Sequence, residues 1–310
     1  MASGPLVVTD RLTAADFPVS AERRAGILAD LTAEMDVDTA RSAVPCLTFV
    51  TGQPAAGKSR TIDRISARFG TAPVVLDSDV IRLNHPMMDE IISRDPQRMD
   101  VLSNGPVGEW MSGLIEHARE SGYNVIIENT LTNPSQVAET AGKFHEAGYE
   151  VRVAALAVPE DDSRLGIVQR YLTGLDNDPY PRWTTERSHS SAYTGMVDGL
   201  EQITGVVDAI EVYSRSGESL YSGVDGAAAA TAVTEYRGLP KDADQLALWA
   251  AGYLGVVDRL TEPGMITEQT RTVIRNLLHD ADRNIDLVDL PDAHLHLHGL
   301  VFDASPPRRR

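Results

Sequence analysis

Leu47-Thr48-Phe49-Val50-Thr51-Gly52-Gln53-Pro54-Ala55-Ala56-Gly57-Lys58-Ser59-Arg60-Thr61-Ile62 is the stretch on which the fold turns. Leu47 to Thr51 are apolar or β-branched, and Ile62, Ile65 and Phe69 recur behind them at helical spacing. A buried strand therefore runs through a glycine-bearing loop into a helix, and the loop fits G-x-x-x-x-G-K-[ST] in the context that gives the motif meaning. Such a loop offers several backbone N–H groups at a helix N-terminus, where the dipole also favours anions, so it suits the oxygens of a nucleoside triphosphate. Gly52, Gln53, Pro54, Ala55, Ala56, Gly57, Lys58, Ser59 and Arg60 are the candidate nucleotide-binding residues, with Lys58 toward the β/γ-phosphates and Ser59 toward Mg²⁺. A chain of this composition matches the pattern by chance roughly a few thousandths of a time. The competing reading is a tight turn that binds no nucleotide.

Outward from the loop, Val74 to Leu76, Val125 to Ile127 and Val151 to Val158 repeat the short apolar pattern, each followed by a helix-period stretch, and a fifth strand is expected near Asp208 to Tyr213. The alternation predicts an α/β fold, a parallel sheet with helices on both faces, which the resemblance given below makes P-loop kinase-like. An N-terminal helix carries Ile27, Leu28, Leu31 and Met35 behind Ser20, and structural packing is its expected role. Ser222 to Thr231 is Gly/Ala-rich with almost no charge and reads as a linker or frayed helix. The division expected is residues 1–221 as the kinase-like unit, with 222–310 as linker and helical appendage. In the appendage, Leu246 to Leu260 and Thr267 to Leu278 flank Pro263-Gly264 as a helical hairpin.

The 310 residues carry 28 basic and 45 acidic side chains, a formal charge of -17, so the mean field repels phosphate backbones and anionic lipid. Neither a nucleic-acid nor a membrane partner is expected. The single cysteine, Cys46, sits in an apolar run as a buried thiol in a reducing compartment. No basic stretch followed by an apolar one opens the chain, and no run approaches a membrane span, so a cytoplasmic protein is expected.

A phosphate loop does not choose an acceptor, which other residues must specify. Asp77 and Asp79 end the Val74 strand at the carboxyl edge where open α/β sheets bind ligands. One can orient a metal-bound water and the other accept a hydroxyl proton, or either can cap a helix. Arg82 and His85 follow closely. Glu128, Asn129 and Thr130 end the next strand and can read substrate hydroxyls, loop capping being the alternative. Arg164, Arg170 and Arg182 bracket a Pro-rich break, and guanidinium groups suit the charge on a transferring phosphoryl. For Arg164 a solvated helix face is the expectation.

These pieces, in order and spacing, resemble the zeta toxin family of P-loop kinases, which phosphorylate the sugar 3′-hydroxyl of UDP-N-acetylglucosamine with ATP and Mg²⁺. The matching pieces are the loop, L-D-S-D-V-I-R-L-N-H-P from Leu76, G-Y-N-V-I-I-E-N-T-L from Gly122, Gln169-Arg170-Tyr171, and Pro181-Arg182-Trp183 followed by His189, together spanning about Leu47 to Tyr213. The resemblance implies that Lys58 and Ser59 serve phosphate and metal, that Asp79 is the base with Asp77 secondary, and that Arg170 and Arg182 embrace the ATP phosphates. Glu128 and Thr130 would hold the sugar nucleotide, with Arg82, His85 and Asn129 beside them. It also implies a small helical antitoxin as partner. Asn129 stands where the family more often has glycine, and Arg60 where a hydroxyl residue is common. Two rival functions stay open: a kinase of another small hydroxyl compound such as a nucleoside or antibiotic, and a nucleotide-dependent regulatory module without transfer.

His294-Leu295-His296-Leu297-His298 reads either as a solvated edge strand or as a Zn²⁺ site, the former preferred. Arg308-Arg309-Arg310 is assigned no function.

Overall fold

The computed structural model describes residues 12–177, 179–286 and 290–303; the start of the chain and the triple-arginine tail lie outside them. The apolar runs become β1 (Cys46–Thr51), β2 (Val74–Leu76), β3 (Val125–Asn129), β4 (Glu150–Ala157) and β5 (Ala209–Ser214), all parallel, and β6 (Ser219–Gly223) adds an antiparallel edge. The order is β2-β3-β1-β4-β5-β6. From β1 the chain crosses to β2, returns to β3, and then passes over β1 to β4. The carboxyl end of β1 is thus a topological switch point, the place where such sheets bind ligands.

Between the strands lie α1 (Ala21–Asp38), α2 (Lys58–Ser66), α3 (Ser78–Ile81), α4 (Met88–Arg94), α5 (Met99–Leu102), α6 (Asn104–Ser121) and α7 (Pro134–Glu146). They are followed by α8 (Glu160–Asn177), α9 (Glu186–Gln202), α10 (Gly226–Gly238), α11 (Ala243–Leu260), α12 (Arg271–Asn284) and α13 (Asp292–His298). Strand residues alternate between two apolar layers. Leu47, Phe49, Ile127 and Val153 join α6, α7, α9 and α10 on one face, whereas Val50, Ile126, Ala154 and Leu156 meet Ile62 and Ile65 of α2 on the other. Helix α1 packs on α6, where Leu28 fills the space that a Cβ at Gly113 would need and Trp110 Nε1 donates to the Arg24 carbonyl.

The expected linker is corrected by the structure. Ser222 and Gly223 end β6, Asp225 caps α10 through the N–H groups of Ala227 and Ala228, and Ala229, Ala230 and Val233 lie in the main core. The stretch is ordered rather than loose, its small residues Gly226, Ala229 and Ala230 being the buried face that lets α10 lie close on the core. A Cβ on Gly226 would lie 1.9 Å from the Leu200 carbonyl oxygen, so α10 begins pressed against the end of α9. The first unit therefore continues past residue 221, and the following helices start with α11.

Helices α11, α12 and α13 share a second core with α8, in which Tyr253, Leu277, Leu278 and Leu297 meet Ile167 and Val168. Arg164, expected on a solvated face, is 4% exposed and ion-paired with Asp280 of α12, which is 1% exposed, and with Glu186. Burial opposes the Arg164 charge, but Asp280 and Glu186 outweigh it and raise its pKa further. An unpaired charge at such a place costs about 3–5 kcal/mol, so the pair fixes the C-terminal helices to α8. The five-residue histidine run is helical, not a strand, as part of the seven-residue α13; so short a run does not tell a period of two from 3.6. His294 is buried there, its Nδ1 2.8 Å from the Tyr253 hydroxyl and its Nε2 3.2 Å from Asp282.

Candidate active site

The loop after β1 is shaped by close backbone approach. A Cβ on Gly52 would stand 3.3 Å from the Ala56 Cβ and 3.4 Å from that of Leu156, a tight fit. Ala55 and Gly57 take φ of +61° and +96°. For alanine that conformation costs roughly 1–2 kcal/mol, strain of the kind held at functional sites. Left-handed residues alternating with right-handed ones turn successive N–H groups to one side, the concavity that receives anions. Lys58 opens α2 with its Nζ donating to the carbonyls of Gly52 (3.0 Å) and Gln53 (3.3 Å) and lying 3.4 Å from Glu128 Oε1. Ser59 and Arg60 are exposed on the first turn of α2.

Asp77 at the end of β2 caps α3 by accepting the N–H of Asp79 at 2.8 Å, which fixes Asp79 on the first turn. The Asp79 carboxylate is gripped from two sides, Oδ1 by Arg82 Nε at 3.3 Å and Oδ2 by Arg182 Nη1 at 3.2 Å. Arg82 is 6% exposed and anchored by its Nη1 to the Asp100 carbonyl and the Ser103 hydroxyl, both at 2.9 Å, so it is a fixed strut. Among the described residues, Asp79 is the one ion-pair partner of Arg182, which lies on the irregular segment between α8 and α9. Burial favours the neutral acid at Asp79, but Arg182, Arg82, Arg170 and Lys58 outweigh it and hold the carboxyl below the usual carboxylate range.

Glu128 lies at the end of β3, and there burial wins: its carboxyl is raised despite Lys58, with Asp77 and Asp79 adding to the rise. The Asn129 Oδ1 is buried and accepts no hydrogen bond in the structure, an orphaned acceptor beside two carboxylates. Thr130 shares a hydroxyl contact with Thr132 at 3.1 Å. From α8, Arg170 donates to the Thr184 hydroxyl at 2.9 Å, and burial lowers its pKa.

One cleft is lined by Pro54, Lys58, Asp77, Asp79, Arg82, Glu128, Asn129, Thr130, Arg170 and Arg182. It thus collects expected residues from the loop after β1, the ends of β2 and β3 and the two sides of the Pro-rich break, while Ser59 and Arg60 lie outside its lining. His85 is not among them: it is 3% exposed, with Nδ1 accepting the Met87 N–H at 3.2 Å. The Gln53 side chain also turns away, to the Val158 carbonyl and Ser163. Gln97, Met99, Trp183 and Ser188 line the cleft without having been singled out for it. Trp183 was signalled by its place next to Arg182; Gln97 had no local signal. The cleft's donors are rich in oxygen, with the carboxylates of Asp77, Asp79 and Glu128 and the orphaned Asn129 amide oxygen, and so fit a Mg²⁺ carried in with a triphosphate, whereas Ser59, the expected metal residue, is exposed on α2 and does not line the cleft.

Behind the cleft, Ser163 Oγ meets His189 Nε2 at 2.8 Å. Glu160 and Glu186 lie close to His189, and the cation between them is Arg164, 2.8 Å from Glu160 and 3.3 Å from Glu186. His189 is fully buried, and that burial, opposed by Glu186, lowers its pKa from 6.5 to about 4. A depressed histidine pKa means that the unfolded chain takes up the proton first. Stability is therefore complete above pH 6.5 and is lost as pH falls toward about 4, by about 3 kcal/mol for this group. Urea unfolding at pH 7 and pH 5 should show that slope in the wild type and a flatter one in His189→Gln; equal slopes would refute the assignment.

The family model described as zeta toxin matches residues 31–224. A toxin zeta of Enterococcus hirae is 30% identical over 186 residues, covering 58% of this chain and 64% of that protein. A toxin PezT of Streptococcus pneumoniae is 26% identical over 195 residues, 62% of this chain and 77% of that protein. The chain thus spans 64% of the length of the Enterococcus relative. A structure from the PezAT chromosomal toxin–antitoxin system of Streptococcus pneumoniae superposes with a TM-score of 0.69 at 19% identity, over 79% of this chain and all of that one. That likeness bears on the fold.

Proposed function

The chain belongs to the zeta toxin family, and from that premise we propose that it is an ATP- and Mg²⁺-dependent kinase that phosphorylates the 3′-hydroxyl of UDP-N-acetylglucosamine. The observation that carries the reading is the meeting, in one cleft, of the phosphate-loop lysine with an aspartate held between two arginines. A switch protein has no use for such an acceptor-side carboxylate.

Phosphoryl transfer passes through a loose transition state, so the protein's work is positioning and charge stabilisation. Lys58 leaves the carbonyls of Gly52 and Gln53 for the β/γ-phosphate oxygens, and Arg170 and Arg182 close on the transferring group. Ser59 would hold a Mg²⁺ brought in with the triphosphate, which would supply further neutralisation of the same charge. Asp79 orients the sugar hydroxyl and accepts its proton as the oxygen–phosphorus bond forms and ADP departs. In the resting cleft two of the donor-side cations rest on acceptor-side carboxylates, Lys58 on Glu128 and Arg182 on Asp79, while Arg170 donates to Thr184. A triphosphate draws both cations away and leaves Glu128 and Asp79 for the acceptor's hydroxyls. We further propose a toxin role restrained by a small helical antitoxin.

The test is transfer from Mg-ATP to UDP-N-acetylglucosamine, analysed by mass, beside Lys58→Ala. A product heavier by one phosphoryl group, absent with the variant, is expected. ATP turnover without that product would move the acceptor to another small hydroxyl compound, a reading favoured by Asn129, whose unpaired oxygen adds a contact that glycine lacks.

A further inference from the structure

The second residue of the phosphate loop has no part in the cleft through its side chain, yet that side chain is tethered to three partners. Gln53 is fully buried, and its Nε2 donates to the Val158 carbonyl at the end of β4 (2.8 Å) and to Ser163 of α8 (3.2 Å). Its Oε1 accepts from Arg237 Nη2 at 2.9 Å, across 184 residues of chain. The Gln53 main chain belongs to the loop proper: its carbonyl accepts from Lys58 Nζ and from the Ala56 N–H at 3.1 Å.

Arg237 comes from α10, beyond residues 31–224 that match the family. Its guanidinium lies 3.9 Å over the Tyr193 ring and donates to the Tyr193 carbonyl at 2.8 Å. Among the described residues it makes no ion pair, so its oriented acceptors are two neutral amide oxygens, the Tyr193 carbonyl and the Gln53 side chain. A charge-assisted bond of this kind is about twice as strong as a neutral one, and it fixes which end of the amide faces which partner. With Oε1 committed to Arg237, Nε2 must face Val158 and Ser163, and the loop is tied at once to β4, α8 and α10. Burial lowers the Arg237 pKa to about 10, which leaves it charged at neutral pH.

We propose that Arg237 is a positioning residue for nucleotide binding, acting through Gln53 to hold the phosphate loop in the shape that receives the triphosphate. The proposal rests on the reading of the loop as an ATP site. It predicts an effect on ATP rather than on the acceptor, because the Gln53 carbonyl accepts from Lys58 and no cleft carboxylate bonds Gln53 or Arg237 directly.

The experiment measures the Kd of Mg-ATP directly, without acceptor, for the full chain and for Arg237→Met, Arg237→Lys and Gln53→Leu, with thermal melting alongside. The expectation for Arg237→Met is about a ten-fold weaker Kd, the lower end of what outer-shell partners usually contribute. Arg237→Lys, which keeps the charge and one donor, should recover part of the loss. The double variant Arg237→Met/Gln53→Leu should lose less than the sum of the singles, since the two act through one bond. An Arg237→Met chain with wild-type ATP affinity overturns the proposal, whatever its melting temperature. So does a lysine variant that binds as poorly as methionine while melting like the wild type. A wild-type chain that binds no ATP would instead refute the loop reading itself.

Discussion

Replacing Asp79 by asparagine is expected to lower phosphate transfer by about two to four decades, the range for removal of a positioned general base, and to change ATP binding little. The substitution keeps the size and one oxygen of the side chain but removes the charge that Arg82 and Arg182 share. Arg82 stays anchored by the Asp100 carbonyl and Ser103, so α3 keeps its place and the loss is chemical rather than structural. Arg182 is released from its resting partner and is free to meet phosphate, so ATP affinity is unchanged or slightly higher. Single-turnover transfer, with ATP affinity measured separately, distinguishes the two effects. Transfer within ten-fold of the wild type would remove Asp79 from the base's role and leave the cleft as an orienting site whose acceptor needs no proton abstraction.

The parts of this site that the sequence announced are those built from consecutive residues. The β1 run, the glycine-bearing loop and the helix behind it follow from local composition, and the carboxylates at the ends of β2 and β3 follow from strands that stop at a common edge. What local pattern could not supply are pairings between distant residues: Arg164 with Asp280, 116 positions away, and Gln53 with Arg237, 184 away. Each partner alone reads as a surface charge or a loop amide, and burial alone reveals otherwise. Strand β6 escaped because an edge strand reading Ser-Leu-Tyr-Ser-Gly is only partly buried and has no apolar alternation. The alanine stretch of α10 misled for the opposite reason, since small uncharged residues suit both a loose linker and a helix lying close on a sheet. His85 stood near Asp79 in sequence, but the turn after α3 folds its ring into the interior.

Replacing Arg182 by methionine carries the other large effect, and it tests how the resting cleft is converted to the working one. If Arg182 closes on the transferring phosphoryl, its loss costs about three to five decades in turnover, as for arginines that stabilise this transition state elsewhere. The same residue is the foremost of the charges that oppose burial at Asp79, so its removal lets burial act and raises the Asp79 pKa. A carboxylate with a depressed pKa stays ionised as pH falls, and one whose pKa rises is protonated sooner. The acid limb of kcat/KM, which reports the free enzyme, should therefore move to higher pH in Arg182→Met. The acid limb of kcat should move less, because in the loaded wild type Arg182 has already left Asp79 for phosphate. A fall in rate with neither limb displaced would mean that Arg182 serves phosphate but does not set the base. Equal displacement of both limbs would mean that the ion pair survives nucleotide binding, and that Arg182 stays on Asp79 through the reaction.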